Sequence, residues 1–202
     1  MIRLEKDGDL WTATIDRPDK ANSLTRQMLN DLADIAEGAH VTKALILTGT
    51  GKVFSAGMDL EAAKEGLATD PVWERLSNAL AAHSGLTICA LNGTLAGGAM
   101  GMALACDIRI CVPTAKFFYP VMKLGFLPQP SDPARLAALV GPARAKLILM
   151  GGQKVTAQDA LAMGLVEQIV ESDVLTETAR GFAADVLGAQ TAHIKGIKDL
   201  IT

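Results

Sequence analysis

Two short turns rich in small residues carry the strongest chemical signal in this sequence. One is FSAGMDL at residues 54–60, and the other is NGTLAGGA at residues 92–99. Each turn follows an apolar run typical of a strand and precedes a segment typical of a helix, so each can leave backbone N–H groups without a partner. Two such donors aimed at one oxygen form an oxyanion hole. The pattern therefore predicts a backbone site that polarises a carbonyl group.

Alternating strands and helices are expected to hold these turns. Residues 43–48 and 86–91 are continuous apolar runs, typical of central strands covered on both faces, and each ends in a glycine-containing turn. Residues 10–15 and 107–112 alternate like strands. Together the elements predict one α/β domain. The other predicted elements are a helix from its N-cap Ser23 to about Gly38, a strand at 115–118, helices at 133–140, 142–150 and 156–163, a strand at 165–170, and mostly helix over 174–201.

Composition limits the classes of function. The chain has 202 residues, of which 50% are hydrophobic and 20% charged, as expected for one compact domain with a large core. A net charge of −3 argues against a nucleic-acid or membrane-surface partner. The N-terminus is charged where a signal peptide needs an apolar core, and the most apolar stretch, residues 95–106, is far shorter than the ~20 residues of a membrane span. We therefore expect a cytoplasmic protein.

The cysteines and the histidine nearest the two turns do not form a recognisable reactive motif. Cys89, Cys106 and Cys111 lie in apolar runs without the spacing of a metal or redox motif, so we expect buried, inert thiols and predict no metal site. His83 shares the apolar side of its helix with Leu76 and is expected to belong to the core.

Five motifs, taken in order, resemble the crotonase superfamily, which is the enoyl-CoA hydratase/isomerase family. The order and spacing of the five make the resemblance specific, where one glycine-rich turn would be weak. The resemblance implies a crotonase-like spiral of repeated β-β-α units with a helical C-terminal part, in which a core of residues 1–175 precedes a short helical segment at 176–202. The motifs are DRPDKANSL at 16–24, LTG at 47–49 with FSAGMDL at 54–60, NGTLAGG at 92–98, CDIR at 106–109 and AKF at 115–117.

The resemblance also implies a ligand and an assembly. The ligand would be a coenzyme A thioester, with no tightly bound cofactor, and the assembly would be a homotrimer or a dimer of trimers. Carried over by position, the two oxyanion donors are the backbone N–H groups of Met58 and Gly98. The residue types agree, because Gly57 and Gly97 allow sharp turns and Gly98 lets a thioester approach without a Cβ in the way.

Five further positions match those that contact coenzyme A in the family. Ala56, Asp59 and Leu60 correspond to positions that line the adenine and pantetheine groove, and Arg17 and Lys20 correspond to a basic loop near the phosphates. Other interpretations stay open for the charged residues. Asp59 is also a suitable N-cap for the following helix, and the two basic residues are equally compatible with a solvated loop.

The acid/base positions depart from the family pattern. Typical hydratases carry one Glu three residues after the second oxyanion glycine and another further on, immediately after a Pro. This chain has Gly101 and Val121 there. Neither side chain can hold a proton or orient a water molecule, so hydration by paired carboxylates lacks both groups. Isomerisation moves one proton between two carbons and needs a single base, and it is therefore favoured over hydration.

Three other places could supply the acid/base group. Glu74 has the spacing at which some dehalogenases of the family carry a catalytic His, and its alternative is a solvent-facing helix charge. Asp132 follows a loop whose counterpart in isomerases and dehalogenases often bears a carboxylate, although the strict position is Gln129. Its alternative is the N-cap of the next helix. Tyr119 could donate a hydrogen bond, or it could be a packed aromatic with a satisfied hydroxyl.

The sequence thus predicts an acyl-CoA thioester enzyme that stabilises an enolate, with Met58, Gly98, Glu74 and Asp132 as its catalytic groups. A thioester hydrolase and a non-catalytic protein that binds CoA esters remain alternatives. The variant Glu74→Gln distinguishes an enzyme from a protein that only binds CoA esters. If Glu74 is catalytic, the variant should lose turnover and keep binding. Family members commonly continue beyond the position of Thr202, so we expect a more open pocket or a rearranged trimer interface.

Overall fold

Two sheets form the framework of the structure, a computed structural model that describes residues 1–201. The strands in chain order are β1 (Ile2–Asp7), β2 (Leu10–Ile15), β3 (Ala44–Gly49), β4 (Val53–Ser55), β5 (Leu86–Leu91), β6 (Thr94–Ala96), β7 (Ile108–Cys111), β8 (Lys116–Phe118), β9 (Val155–Thr156) and β10 (Gln168–Ile169). The larger sheet has the order β1-β2-β3-β5-β7-β10, and the smaller has the order β4-β6-β8-β9. All neighbouring strands are parallel except the pairs β1-β2 and β8-β9. The predicted α/β class is confirmed.

Helices connect and cover the sheets. In chain order they are α1 (Arg26–Gly38), α2 (Leu60–Lys64), α3 (Val72–Ala81), α4 (Met100–Ala105), α5 (Val121–Leu124), α6 (Asp132–Val140), α7 (Pro142–Leu149), α8 (Ala157–Ala162), α9 (Leu175–Gly188) and α10 (Thr191–Ile201). Within the C-terminal segment predicted at 176–202, α9 packs on strands of the larger sheet and its Ala179 and Ala183 are fully buried. Residue 202 of that segment lies outside the described residues.

Repeated β-β-α units bring the two glycine turns together. In each of the pairs β3-β4, β5-β6 and β7-β8, the first strand joins the larger sheet and the second joins the smaller one. Strands β4 and β6 are parallel neighbours, so their carboxyl ends lie at the same edge of the smaller sheet. The turn after β4 begins at Ala56 and the turn after β6 begins at Gly97. Topology alone therefore makes the two turns neighbours.

Burial explains which elements the sequence predicts well. The central strands β3 and β5 are almost wholly buried, and the predicted runs at 10–15 and 86–91 match β2 and β5 residue for residue. The predicted strand at 165–170 shortens to the two residues of β10. The sequence does not indicate strand β1, because this edge strand is mostly exposed and has only two apolar residues, Ile2 and Leu4.

The start of α1 corrects the predicted N-cap at Ser23. Helix α1 begins two residues later, and the hydroxyl of Thr25 accepts the N–H of Met28 at 3.3 Å. Leu24 stays extended because its backbone forms a parallel bridge with Met58 of the first glycine turn. The loop before α1 is therefore part of the scaffold that holds this turn.

The predicted inert groups lie in the core. All three cysteines are free and buried, and His83 is 1% exposed. The His83 ring accepts the N–H of Gly85 on Nδ1 and donates from Nε2 to the carbonyl of Ala39, and burial lowers its pKa. Residues 1–201 contain no group of three or more His, Cys, Asp or Glu side chains arranged for a metal ion. None of the helices described for residues 1–201 combines the length and apolarity that crossing a membrane requires.

Candidate active site

The first glycine turn leaves the N–H of Met58 without a partner. The N–H of Leu24 donates to the carbonyl of Gly57 at 2.8 Å, and the N–H of Asp59 donates to the carbonyl of Leu24 at 2.9 Å. Successive amides along extended backbone point to opposite sides, so the N–H of Met58 points away from Leu24. It has no acceptor within the described chain, residues 1–201.

The second glycine turn leaves the N–H of Gly98 in the same condition. Gly97 has a φ of +59°, and residues Gly97–Ala99 form a 3₁₀ turn that runs into α4. The first N–H groups of a helical turn have no acceptor within that turn. Neither the strands nor the loops among residues 1–201 supply an acceptor for Gly98.

The two turns touch through their backbones. A Cβ added to Gly57, whose φ is +90°, would lie 2.8 Å from the carbonyl oxygen of Ala96 and 3.4 Å from the Cα of Gly97. A side chain at position 57 would therefore force the turns apart. Met58 and Gly98 both line one cavity of about 190 Å³. Most of its remaining wall is apolar or aromatic, including Trp73, Phe118, Tyr119, Val121, Phe126 and Leu127.

Trp73 of α3 shapes the wall beside Gly98. Its indole N–H donates to the carbonyl of Leu67 at 2.8 Å, which fixes the ring while 97% of the residue is buried. The ring atoms lie 3.3 Å from where a Cβ of Gly98 would be. Glycine at 98 therefore leaves room for this tryptophan as well as for a ligand. The sequence carries no signal for this role of Trp73, because its pattern is that of any other apolar helix residue.

The residues predicted to contact coenzyme A divide into two groups. Ala56 and Leu60 are exposed and line the same cavity as the two unpartnered amides. Lys20 is exposed at the end of a 3₁₀ turn. Arg17 and Asp59 instead bind each other, because the Arg17 Nη1 lies 2.7 Å from the Asp59 Oδ2.

Asp59 also caps a helix. Its Oδ1 accepts the N–H groups of Glu61 and Ala62 at the start of α2, so the predicted N-cap interpretation is confirmed. The hydrogen bond from Arg17 and these two amides hold the pKa of Asp59 below its usual value. The negative charge of Asp59 is therefore largely compensated within the protein, by Arg17 and by the first amides of α2.

Gly101 and Val121 stand in two different environments. Val121 lines the cavity. Gly101 lies under another residue: a Cβ there would be 2.6 Å from the Oδ1 of Asp132 and 2.9 Å from the Oγ of Ser77. The carboxyl of Asp132 thus occupies the space beside α4 that a side chain at 101 would need.

Asp132 is a buried acid rather than a helix cap. Ser131 is the N-cap of α6, so the predicted N-cap alternative for Asp132 is wrong. The Asp132 side chain turns inward, where its Oδ2 accepts the hydroxyl of Tyr119 at 2.9 Å and its Oδ1 has no partner among the described residues. Burial raises the pKa of Asp132 to about 7, although the bond from Tyr119 acts the other way. The negative charge of Glu74 contributes to this rise.

Glu74 contacts the beginning of α6 and not the cavity. Its Oε1 accepts the N–H and the hydroxyl of Ser131 at 3.1 and 2.9 Å, and the residue is half-buried, so the solvent-facing alternative is wrong. The cavity wall includes Tyr119 but neither Glu74 nor Asp132. Burial raises the pKa of Tyr119, and its hydroxyl accepts the N–H of Gln129 at 3.2 Å. Tyr119 therefore connects the cavity to the carboxyl of Asp132.

Comparison with known proteins gives consistent matches over nearly the whole chain. The Enoyl-CoA hydratase/isomerase family model matches residues 5–202. A carnitinyl-CoA dehydratase from Salmonella typhi is 32% identical over 212 residues, which cover 98% of this chain and 79% of that protein.

Solved structures give the same result. DspI of Pseudomonas aeruginosa is 35% identical with a TM-score of 0.90, and the match covers 99% of this chain and 85% of DspI. An enoyl-CoA hydratase/isomerase from Pseudoalteromonas atlantica T6c is 28% identical with a TM-score of 0.92, covering 99% of this chain and 82% of that one. The spiral arrangement of β-β-α units is thus shared with these structures.

Proposed function

Because this chain belongs to the enoyl-CoA hydratase/isomerase family, we propose that it is an enzyme that acts on an acyl-CoA thioester. The N–H groups of Met58 and Gly98 bind the thioester oxygen in this proposal. The observation that supports it most directly is the backbone contact between the two glycine turns, which gives one cavity two unpartnered amides.

An oxyanion hole of this kind favours an enolate. Removing a proton from the carbon next to the thioester moves negative charge onto the carbonyl oxygen, and one correctly aimed donor typically accelerates such a step by about 10²–10³-fold. The buried carboxyl of Asp132, with Glu74 close to it, is the acid/base system that we propose to serve this enolate. Isomerisation of a double bond fits this system better than hydration, because Gly101 and Val121 supply neither of the paired carboxylates that hydration uses.

A second candidate is removal of water from a hydroxyacyl-CoA. Relatives at 31–33% identity are named carnitinyl-CoA dehydratase, which supports a dehydratase as the alternative. Loss of water also passes through charge on the thioester oxygen, so it uses the same oxyanion hole. It additionally requires a proton donor for the leaving hydroxyl.

The coenzyme A portion is proposed to leave the cavity past Ala56 and Leu60, with Lys20 available to its phosphates. Arg17 serves mainly to hold Asp59, which supports α2 next to the first glycine turn. We also propose a homotrimer or dimer of trimers. Its support is the exposed apolar side chains beside the cavity at Met122, Phe126 and Leu127, because exposed apolar clusters of this kind mark contact surfaces.

Exchange of α-protons in D₂O tests the enolate independently of the final reaction. The protein is incubated with a saturated acyl-CoA, and deuterium uptake next to the carbonyl is followed by mass spectrometry. We expect exchange with the thioester and weaker binding of an S-alkyl-CoA that lacks the carbonyl. A protein that binds both compounds equally and catalyses no exchange would be a CoA-ester-binding protein. Release of free CoA without exchange would identify a thioester hydrolase.

A further inference from the structure

We propose that Tyr119 is the residue that exchanges a proton with the acyl group, and that Asp132 receives and returns that proton through the Tyr119 hydroxyl. This inference rests on the proposed acyl-CoA function and names the residue that touches the substrate. Tyr119 is the catalytic residue in this arrangement, and Asp132 is a positioning residue that acts through it.

The first support is position. Both residues are buried, but Tyr119 lines the same cavity as Met58 and Gly98, whereas Asp132 does not line it. Tyr119 follows β8, whose neighbour in the smaller sheet is β6, the strand that leads into the Gly98 turn. A ligand whose carbonyl oxygen reaches the two backbone amides is therefore in the cavity that Tyr119 lines.

The second support is the hydrogen bonding of the hydroxyl. Tyr119 donates to the Oδ2 of Asp132 at 2.9 Å, so its proton already points at the carboxyl. The oxygen also accepts the N–H of Gln129 at 3.2 Å, a donor that stabilises negative charge on the phenol oxygen. The hydroxyl is thus held between a proton acceptor and a donor, as a relay requires.

The third support is the space over Gly101. Asp132 can approach α4 only because position 101 has no side chain, since a Cβ would come within 2.6 Å of its Oδ1. That oxygen is buried without a partner among residues 1–201, which is unfavourable for an ionised carboxylate in a purely structural role. The site therefore maintains a proton acceptor at the cost of stability.

The proton transfers balance in both directions. The α C–H bond of the thioester breaks, its proton goes to the Tyr119 oxygen, and the original hydroxyl proton goes to the Asp132 carboxylate. The electron pair remains on the substrate as an enolate, whose oxygen accepts the N–H groups of Met58 and Gly98. Asp132 then returns its proton to Tyr119 as Tyr119 donates one to the γ-carbon, which completes a shift of the double bond without an external reagent.

The surroundings of Asp132 predict the pH dependence. Glu74 of α3 and Arg135 of α6 are the charged groups that act on its carboxyl, with Tyr119 as its hydrogen-bond donor. Exchange requires Asp132 to be ionised, so its rate should rise with pH and level off above about 7. Glu74→Gln removes a negative charge and should move this rise to lower pH, because the pKa of Asp132 falls.

The test compares Tyr119→Phe with the wild-type protein in the α-proton exchange assay. We expect exchange to fall by at least about 100-fold, a typical contribution of general acid/base catalysis, while binding of the acyl-CoA stays within twofold. Thr87→Val is the matched control, because Thr87 is also a buried hydroxyl bonded to a carboxylate, Asp107, at 2.8 Å. It lies near the start of β5, away from the glycine turns, and should leave exchange unchanged.

A second variant keeps the proposal testable if Tyr119→Phe does not fold. Asp132→Asn should remove the rise of exchange with pH. If the wild-type protein exchanges protons and Tyr119→Phe exchanges them at a rate within twofold of wild type, the relay is overturned and the proposed function stands. An Asp132→Asn variant that retains the wild-type pH profile of exchange also overturns the relay and leaves the proposed function standing. Wild-type protein that neither exchanges the α-proton nor shifts the double bond of an enoyl-CoA instead overturns the proposed function itself.

Discussion

Gly101→Ala should destabilise the protein, although alanine is a better helix former than glycine. Gly101 lies inside α4, where Gly→Ala alone is worth about 1 kcal/mol of stabilisation. The added Cβ, however, would stand 2.6 Å from the Oδ1 of Asp132, well inside van der Waals contact. Ser77 can rotate its hydroxyl away, but the Asp132 carboxyl is 1% exposed and has little room to move.

The size of the effect follows from these two opposing terms. Overpacking a buried site costs about 1–3 kcal/mol. Displacing the carboxyl instead gives up its bond from Tyr119, and hydrogen bonds to charged groups are worth about 1.5–3 kcal/mol. Either route, less the helix-propensity gain of about 1 kcal/mol, leaves a net loss of up to about 2 kcal/mol in the free energy of unfolding. Urea titration followed by circular dichroism measures this difference through the midpoint.

Gly181→Ala is the matched control for this prediction. Gly181 lies inside α9, and a Cβ there meets nothing within 4 Å, so the same substitution should stabilise by about 0.5–1 kcal/mol. In an Asp132→Ala background, Gly101→Ala should also become stabilising, because the carboxyl that the added Cβ would contact is absent. Stabilisation by Gly101→Ala in the wild-type background, equal to that of Gly181→Ala, would refute the placement of Asp132 over α4.

Three further predictions use other parts of the site. Because the pKa of Asp132 is raised from 3.8 to about 7 in the folded state, the free energy of unfolding should fall as pH rises through this interval, by up to about 4 kcal/mol. Asp132→Asn should abolish this dependence, and the exposed Asp173→Asn should not. Gly57→Ala should stop α-proton exchange and destabilise more than Gly152→Ala, which has a similar positive φ but no neighbour within 4 Å. Asp59→Ala should lower the thermal unfolding midpoint, because loss of an N-cap costs about 1 kcal/mol and the ion pair to Arg17 is lost too.

The sequence predicts the fold well where burial imposes a pattern. Strands β2 and β5 are recovered residue for residue, since each is a run whose burial follows directly from its apolar residues. The predictions fail where a tertiary contact decides. The predicted N-cap at Ser23 is displaced to Thr25 because Leu24 pairs with the first glycine turn, and this pairing leaves no mark in the local sequence.

The same distinction holds within the candidate site. The two glycine turns can be predicted from a single chain, because their small residues favour sharp turns that leave amides exposed, and the family resemblance then assigns the proposed donors, Met58 and Gly98, within them. The proposed acid/base system cannot be predicted in this way. Its arrangement depends on the first turn of α6 folding over a glycine of α4, and a contact between two distant segments is not visible in either. In sequence Gly101 indicates only a missing carboxylate, whereas in the structure its lack of a side chain leaves the space that the Asp132 carboxyl occupies.

This difference indicates how one scaffold could keep the proposed carbonyl site while its proton chemistry changes. The two amides are fixed by the parallel pairing of β4 and β6, so moving either one would require rebuilding the smaller sheet. A carboxyl needs only to reach a particular volume beside the cavity, and α3, α4 and α6 all border that volume. Removing a side chain from α4 and directing Asp132 inward from α6 relocates the acid without disturbing the amides. In the proposed mechanism the helix that fills this volume therefore decides the proton chemistry, and Tyr119 links the Asp132 carboxyl to the cavity.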